Sequence, residues 1–139
     1  ITPALRLDLD GAIDALVIGN LAEILEAIAN VVDNAIKYAP GSPIRIATQA
    51  NEGGVDVTIT DEGPGIHPDD REGIFDRFYR GVTRGDVEGS GLGLAIAKRA
   101  AERAGGTLVL ASTSPAGTTF VLGLRADQVR KREPRTTRV

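Results

Sequence analysis

The chain has 139 residues, of which 42% are hydrophobic and 25% charged, as in an ordinary globular domain with a core. It has no cysteine and a single histidine, which excludes disulfides, thiolate metal sites and a histidine cluster for zinc. A net charge of -3 argues against nucleic acid as the main partner, and neither a membrane-spanning run nor a secretory signal is visible.

The first half of the sequence predicts two strands, a long helix and a hairpin. It opens with "ITPALRLDLDG" and no Met, which is expected of a fragment of a longer protein or of a chain from which a tag was removed. The segments "ALRLDLD" and "DALVIG" have the patterns of short strands. A helix is predicted from Asn20 to Tyr38, where Pro40 and Gly41 stop it. The segments "PIRIATQAN" and "VDVTITDE" flank a glycine turn and predict a hairpin.

The second half predicts loops, a second helix and another hairpin. "DEGPGIHPDD" is a loop in which Pro68 opens a short helix, and "EGIFDRF" is a helical turn. Residues 79–90 are glycine-rich, charged and aperiodic, so we expect a mobile loop there. A helix is predicted over 91–103, before two glycines. "TLVLAST" and "TTFVLGLRA" then form a hairpin.

Helices that alternate with hairpins predict an α+β fold. We expect a two-layer α/β sandwich, with a mixed sheet of about five strands and the helices on one face. Residues 1–127 are assigned to this domain. Residues 128–139 are assigned to a basic C-terminal tail, which we expect to be disordered.

The first predicted helix carries two asparagines, Asn30 and Asn34, in its middle. At about 100° per residue, one half of the helix is apolar: Leu21, Ile24, Leu25, Ile28, Val31, Val32, Ala35 and Ile36. The other side carries a polar stripe: Glu23, Glu26, Asn30, Asp33, Asn34 and Lys37.

Polar stripes usually face water, but asparagine is a mediocre helix former, because its side chain competes for backbone hydrogen bonds. Amide oxygens suit magnesium, and a lysine one turn away suits a phosphate. The pattern alone leaves a solvated face and a magnesium–phosphate site as open alternatives.

Two glycine-rich segments favour the second alternative. "DEGPGI" places Asp61 at a strand end, with Gly63 and Gly65 around a proline. This is either an ordinary tight turn or a place where the backbone approaches a flat ligand and Asp61 accepts a hydrogen bond from an amine. "EGSGLGLAIAKR" places glycines at the mouth of a helix, where backbone amides bind anions. No Gly-Lys-Ser/Thr follows, so the segment is not a P-loop.

In this order, these segments resemble the ATP-binding catalytic domain of sensor histidine kinases. That family shares the Bergerat nucleotide-binding fold with gyrase, the Hsp90 chaperones and MutL. "NVVDNAIKYAP" resembles the N box, "DEGPGI" the first glycine box, "IFDRFYRG" the F box and "GSGLGLAIAKR" the second glycine box. "GTTF" matches the strand entry near the end of the domain, and the match runs from about Leu5 to Arg125.

The resemblance implies that the chain binds ATP and Mg²⁺. Asn34 would ligate the magnesium ion, with Asn30 assisting. Lys37 would reach the terminal phosphates, and Arg77 and Arg80 lie where F-box arginines approach the γ-phosphate or the partner helix.

The resemblance also implies a base-binding set. Tyr38 would pack on the adenine or ribose. Asp61 would bind the adenine amino group, in part through a water shared with Thr118. The implied first-glycine-box contacts are Gly63, Gly65 and Ile66. The implied contacts of the second glycine box are Gly89, Ser90, Gly91, Leu92 and Gly93.

Asn30 discriminates within the group. Hydrolysing relatives, and the serine kinases of anti-sigma pathways, carry a glutamate there as general base. Because an amide cannot accept that proton, we expect slow ATP hydrolysis and phosphotransfer to a histidine elsewhere. The alternative is an anti-sigma-type serine kinase or a protein-binding switch of the same fold; a hydrolysing ATPase and a degenerate pseudokinase are further alternatives.

The resemblance implies two protein partners. One is a histidine-containing dimerisation domain of the same kinase, and the other is a downstream response regulator. We expect no catalytic role for His67, which lies in a proline-bounded turn. The parent protein is expected to be a homodimer in the bacterial cell membrane, with this part as a monomeric cytoplasmic domain.

Overall fold

The computed structural model describes residues 7–10, 13–17, 19–76 and 92–131. Its strands are β1 (Leu7–Asp10), β2 (Ile13–Val17), β3 (Ile44–Asn51), β4 (Gly54–Asp61), β5 (Thr107–Ser114) and β6 (Gly117–Lys131). Its α-helices are α1 (Leu21–Tyr38) and α2 (Gly93–Arg103), and a single 3-10 turn spans Pro68–Asp70. These bounds confirm the predicted helix starting at Asn20, which caps α1, and place the start of α2 two residues later than predicted.

The described strands form one mixed sheet. Its order is β1-β3-β4-β6-β2, with β5 also paired to β6. β1 runs parallel to β3, and the other pairs are antiparallel. The predicted mixed sheet and both hairpins are confirmed, although the sheet has six strands rather than about five.

Side-chain alternation gives the sheet one buried face. In register across β4 and β6, three buried apolar pairs share this face: Val55 with Leu124, Val57 with Leu122, and Ile59 with Phe120. The intervening residues Asp56, Thr58 and Thr60 lie on the opposite face, as the period of two requires. The helices therefore cover one face only, as predicted.

The two helices pack together through small residues. Each contributes buried positions to the same apolar cluster: Ala27, Val31 and Ala35 from α1, and Ala97, Ala100 and Ala101 from α2. The helices run in opposite directions. An ion pair shows this, since it joins Glu23 near the start of α1 to Arg103 at the end of α2 (3.7 Å). No helix in the described part of the chain combines the length and apolarity that crossing a bilayer requires.

The predicted apolar half of α1 is too wide. Leu21, Leu25 and Ile36 are 69%, 55% and 39% exposed, although they fall on the predicted apolar half. The reason is geometric: the small residues of α1 let α2 and the sheet approach along a narrow stripe, which leaves its flank uncovered. Ile28 and Val32 lie between the buried stripe and the exposed flank of α1, and both are partly buried.

The assignment of residues 128–131 to a disordered tail is wrong. β6 continues to Lys131, and its last residues pair antiparallel with β2, from Val17 opposite Ala126 to Ile13 opposite Lys131. The physical reason is that β2 offers these residues a row of backbone hydrogen-bonding partners. Residues 132–139 lie outside the described part of the chain.

Candidate functional site

The two asparagines of α1 lie one turn apart, and both are partly buried. The side-chain nitrogen of Asn30 donates a hydrogen bond to the carbonyl oxygen of Glu26 (2.8 Å). Its amide oxygen lies 3.9 Å from the position that a Cβ atom would take on Gly93, the first residue of α2. The N box and the second glycine box, more than 50 residues apart in sequence, therefore meet.

The start of α2 is suited to an anion. Leu92 occupies the N-cap position, and in the described residues no side chain caps the helix and no acidic residue lies in its first turn. The first backbone N–H groups of a helix point outward, and the helix dipole favours negative charge there. An amide oxygen and a helix N-terminus thus lie side by side, a pairing suited to a cation together with a phosphate.

Asp61 is the last residue of β4, and its carboxylate is held by backbone groups. It accepts hydrogen bonds from the amides of Gly63 (2.9 Å) and Thr118. Burial raises the pKa of this carboxyl above its ordinary value, and the two hydrogen bonds oppose that rise. The site therefore contains a partly desolvated acceptor whose position is fixed.

Gly63 and Gly65 permit close packing within the protein. A Cβ atom on Gly63 would lie 2.5 Å from the Cβ of Ala39, just beyond α1. Gly65 has a φ of +84°, and a Cβ there would lie 2.3 Å from the carbonyl oxygen of Ser114. The structure thus requires glycine at both positions for its own packing, and their approach to a base stays a prediction.

Two threonines connect the loop after β4 to the β5–β6 hairpin. The hydroxyl of Thr118, a predicted site residue that is 4% exposed, lies 2.9 Å from the hydroxyl of Thr113. The backbone N–H of Ile66 donates to Thr113 Oγ1 (2.9 Å). Thr113 is not among the predicted site residues. Strict alternation from the buried Leu108 would place Ser112 on the inner face. A register shift between Leu110 and Ser112 turns Thr113 inward instead.

The structure places Lys37 on the surface of α1. Its Nζ forms an ion pair with Asp33 Oδ2 (3.0 Å), and both side chains are about half exposed. Tyr38, the last residue of α1, is partly buried. The reach of Lys37 to phosphates and the packing of Tyr38 on a base stay predictions.

The first part of the F box is anchored to the core. Ile74 is buried, and the ring of Phe75 meets Phe120 of β6 edge to face, with centroids 6.0 Å apart. Lys98 of α2, which sequence reasoning missed, places its Nζ 4.7 Å from the centre of the Phe75 ring. The F-box segment therefore connects the sheet to α2.

Several predicted site residues lie outside the described part of the chain: Arg77, Arg80, Gly89, Ser90 and Gly91, together with the loop predicted over 79–90. His67 is described, and its Nδ1 accepts from the backbone N–H of Asp69 (3.1 Å) at the start of the 3-10 turn. Within the described residues, no group of three or more His, Asp or Glu side chains could hold a metal ion.

Comparisons with known proteins point to one family. A family described as "Histidine kinase-, DNA gyrase B-, and HSP90-like ATPase" matches residues 19–128. The sensor-like histidine kinase SenX3 of Mycobacterium tuberculosis is 41% identical over 113 residues, covering 79% of this chain and 28% of its own. The sensor histidine kinase Hik2 of Synechocystis is 36% identical over 131 residues, and the match covers 84% of this chain and 30% of Hik2. The chain thus spans less than a third of these relatives' length.

Solved structures share the fold. A mycobacterial sensor histidine kinase, MprB, has a TM-score of 0.74 at 34% identity, covering 88% of this chain and 85% of its own. The ATP-binding domain of PrrB from Mycobacterium tuberculosis has a TM-score of 0.70 at 26% identity, and the match covers 89% of this chain and 82% of that domain structure. These similarities confirm the predicted fold class.

Proposed function

The chain belongs to the family of histidine kinase-, DNA gyrase B- and HSP90-like ATPases, and on this premise we propose that it binds magnesium–ATP and donates the γ-phosphate to a histidine on a separate dimerisation domain in two-component signalling. The observation that carries the proposal is the meeting of the Asn30 amide oxygen with the start of α2. A neutral oxygen beside a helix N-terminus suits a metal ion bound together with a phosphate.

The residues present fit a magnesium ion bound together with phosphates. Asn34 would hold it, with Asn30 assisting, since amide oxygens are hard neutral ligands and Mg²⁺ keeps several of its waters. When bound, the ion neutralises phosphate charge. The start of α2, beginning at Leu92 and Gly93, would bind the phosphates through backbone N–H groups.

The base would lie against Asp61. Its fixed carboxylate would accept a hydrogen bond from the amino group of adenine, with help from Thr118, which is its partner in register. Guanine presents a carbonyl oxygen at that place, so two acceptors would repel each other. The partial burial of this carboxyl, which raises its pKa, supports this role, because a hydrogen bond is stronger where water is partly excluded.

The acceptor would come from outside this domain. Asn30 cannot take a proton from water, so bound ATP would be held rather than rapidly hydrolysed. A histidine ring, already partly neutral near pH 7, needs less help from a base. This feature disfavours the alternative of a serine kinase that needs a glutamate base at this position.

The wider assembly follows from the same proposal. The phosphoacceptor would lie on a dimerisation domain of the same kinase, and a response regulator would receive the phosphate. The parent would be a membrane-bound homodimer with this part on its cytoplasmic side. The support is that relatives carry the names of sensor histidine kinases.

Magnesium-dependent binding tests the proposed metal role. Asn34→Ala should weaken ATP binding by about tenfold or more in magnesium, the scale of a lost metal-supporting group, and far less in chelator. Titration calorimetry in both buffers gives the two affinities. Gln49→Ala, which removes an exposed amide on the opposite face of the sheet, is the control. Equal losses of ATP affinity in both buffers would contradict the role of Asn34 as a magnesium ligand.

Phosphotransfer tests the reaction itself. With γ-labelled ATP, the isolated chain should neither label itself nor release phosphate briskly. The upstream helical domain of the parent, added in trans, should become labelled on its histidine, because positioning the nucleophile is then the missing ingredient. Label on His67, or rapid phosphate release by the chain alone, would show that the reaction is misassigned.

A further inference from the structure

The polar stripe of α1 carries the positive charge of Lys37 beside a negative one. Lys37 lies in the last turn of α1, three residues after Asn34 and seven after Asn30, whose amide oxygen lies beside the start of α2. The Nζ atom of Lys37 forms an ion pair with Asp33 Oδ2 at 3.0 Å. The two side chains are 43% and 57% exposed, so the pair lies at the solvent edge of the proposed phosphate site.

Lys37 has this acid on one side of it and an amide of the proposed magnesium site on the other. Around the helix, Asp33 lies about 40° from Lys37, and Asn34 lies about 60° away in the opposite direction. A long side chain on a helix leans toward the N-terminus, over the preceding turn. The ammonium group of Lys37 can therefore turn toward Asp33, as it does in this structure, or toward the side on which phosphates would lie.

We infer that Asp33 is a positioning residue that competes with nucleotide phosphate for Lys37 and thereby limits the affinity for ATP, an inference that rests on the proposed function. A lysine ammonium group is a compact point charge, and a carboxylate next to it weakens its attraction for a phosphate. Because Asp33 is more than half exposed, water can solvate its carboxylate once Lys37 turns away. The exchange then costs only the modest free energy of an exposed ion pair.

The position of Asp33 determines the direction of the effect. Asn30 and Asn34 are partly buried, and Asn30 lies beside the first residue of α2, whereas Asp33 is exposed. An acid that held Lys37 ready for a phosphate would lie on the same side of the helix as the two asparagines. Asp33 lies on the other side, so its ion pair draws the ammonium group away from the start of α2.

The test is a double-mutant cycle on ATP affinity in magnesium, measured by titration calorimetry. Asp33→Asn should raise the affinity about threefold, within the range measured for exposed ion pairs. In a Lys37→Met background the same substitution should change the affinity by less than about 1.5-fold, because no ammonium group is left to compete for. Asp33→Glu keeps the charge and the spacing of the pair and should stay within about 1.5-fold of wild type.

Glu26 offers a matched control for the loss of one negative charge. It is an exposed acid on the same polar stripe, one turn before Asn30. Among the described residues, its carboxylate forms no ion pair. Glu26→Gln should raise ATP affinity by less than about 1.5-fold in buffer of physiological ionic strength, which screens exposed charges. Melting temperatures verify that each variant is folded.

The outcomes separate the two proposals. An unchanged or lower ATP affinity in Asp33→Asn overturns the role of Asp33, and so does an equal rise in Glu26→Gln. An equal rise with and without Lys37 also overturns it, because the effect then does not pass through the lysine. If Lys37→Met binds ATP as well as wild type, this inference fails and nucleotide binding stands. Failure of the wild-type chain to bind ATP at all overturns the proposed function, and this inference with it.

Discussion

The two ends of the helical layer are built differently. At the end where α1 begins, which we call the closed end, polar groups have partners within the protein. Asn20 accepts hydrogen bonds from the backbone N–H groups of Ala22 (2.9 Å) and Glu23 (3.3 Å). Glu23 also forms an ion pair with Arg103. Gly19 packs so tightly that a Cβ atom would lie 2.9 Å from the carbonyl oxygen of Ala104.

At the other end, where α2 begins, which we call the open end, the described residues provide no side-chain cap for the helix. Asn30 turns its amide oxygen toward that start, and Asn34 lies one turn further along α1. Asp61 keeps a carboxyl whose pKa burial raises.

The difference shows how one small layer separates stability from binding. Capping residues and ion pairs stabilise the closed end. The open end keeps partly buried amide and carboxylate oxygens beside a helix start without a side-chain cap, an arrangement that suits a ligand. Substitutions at the open end should therefore change nucleotide affinity, while those at the closed end should change the melting temperature.

The largest expected effect is at Asp61. The wild-type chain should prefer ATP over GTP by about tenfold or more, since a buried unpaired polar group typically costs about 1–3 kcal/mol. Asp61→Asn should remove most of that preference. Competition binding with both nucleotides measures it. Comparable affinity for ATP and GTP in the wild-type chain would contradict the role of the carboxylate.

The stability of Asp61→Asn relative to wild type should depend on pH. Because the folded pKa of Asp61 lies above its unfolded value of 3.8, the ionised carboxylate costs stability above the folded pKa. That cost disappears as the pH falls below the unfolded value. Asp61→Asn should therefore melt no lower than wild type at pH 7, and any advantage should shrink toward pH 4. A variant markedly less stable at pH 7 would show that the carboxylate stabilises the fold.

An acidic residue at the start of α2 should change binding and stability in opposite directions. Ala95 is the third residue of α2, and Ala95→Glu should stabilise the helix by about 0.3–1 kcal/mol through its dipole. The same charge should repel phosphates and weaken ATP binding about fivefold, a comparable free energy. Ala95→Gln is the neutral control of equal length. Equal effects of Glu and Gln on affinity would mean that size, not charge, matters there.

The smallest effect on binding is expected at the closed end. Asn20→Ala removes the cap of α1 and should lower stability by about 1 kcal/mol, or the melting temperature by roughly 3 °C. ATP affinity should stay unchanged. Asn20→Asp, which can still cap, should retain most of the stability. A clear loss of ATP affinity in a folded Asn20→Ala would break the separation between the two ends.

Local patterns were enough to predict much of this molecule. The strand patterns predicted the β3–β4 hairpin, and the stripe of α1 predicted that Asn30 and Asn34 share a side. Patterns failed where the answer depended on a distant partner. The exposure of Leu21 and Leu25 is set by how closely α2 approaches, which no period within α1 encodes.

The features of the sheet that were not predicted also depend on distant partners. Thr113 faces inward only because one irregularity in β5 shifts its register against β6. The continuation of β6 to Lys131 depends on β2, more than 100 residues earlier in the chain. A polar, basic sequence such as "DQVRK" has no strand signal of its own, so its pairing could not be predicted from the segment alone.

The position of β6 has a consequence for how the chain is made. This strand pairs with β2, β4 and β5, yet it follows all of them in the sequence. During synthesis, β4 must wait about 60 residues for the strand that covers its edge, a delay of several seconds at typical ribosome rates. Until then the β3–β4 hairpin exposes the apolar face of Val57 and Ile59, and such small sheets are marginal in water. The nascent chain therefore passes through a stage in which its sheet is open to other chains, and folding finishes only when β6 emerges.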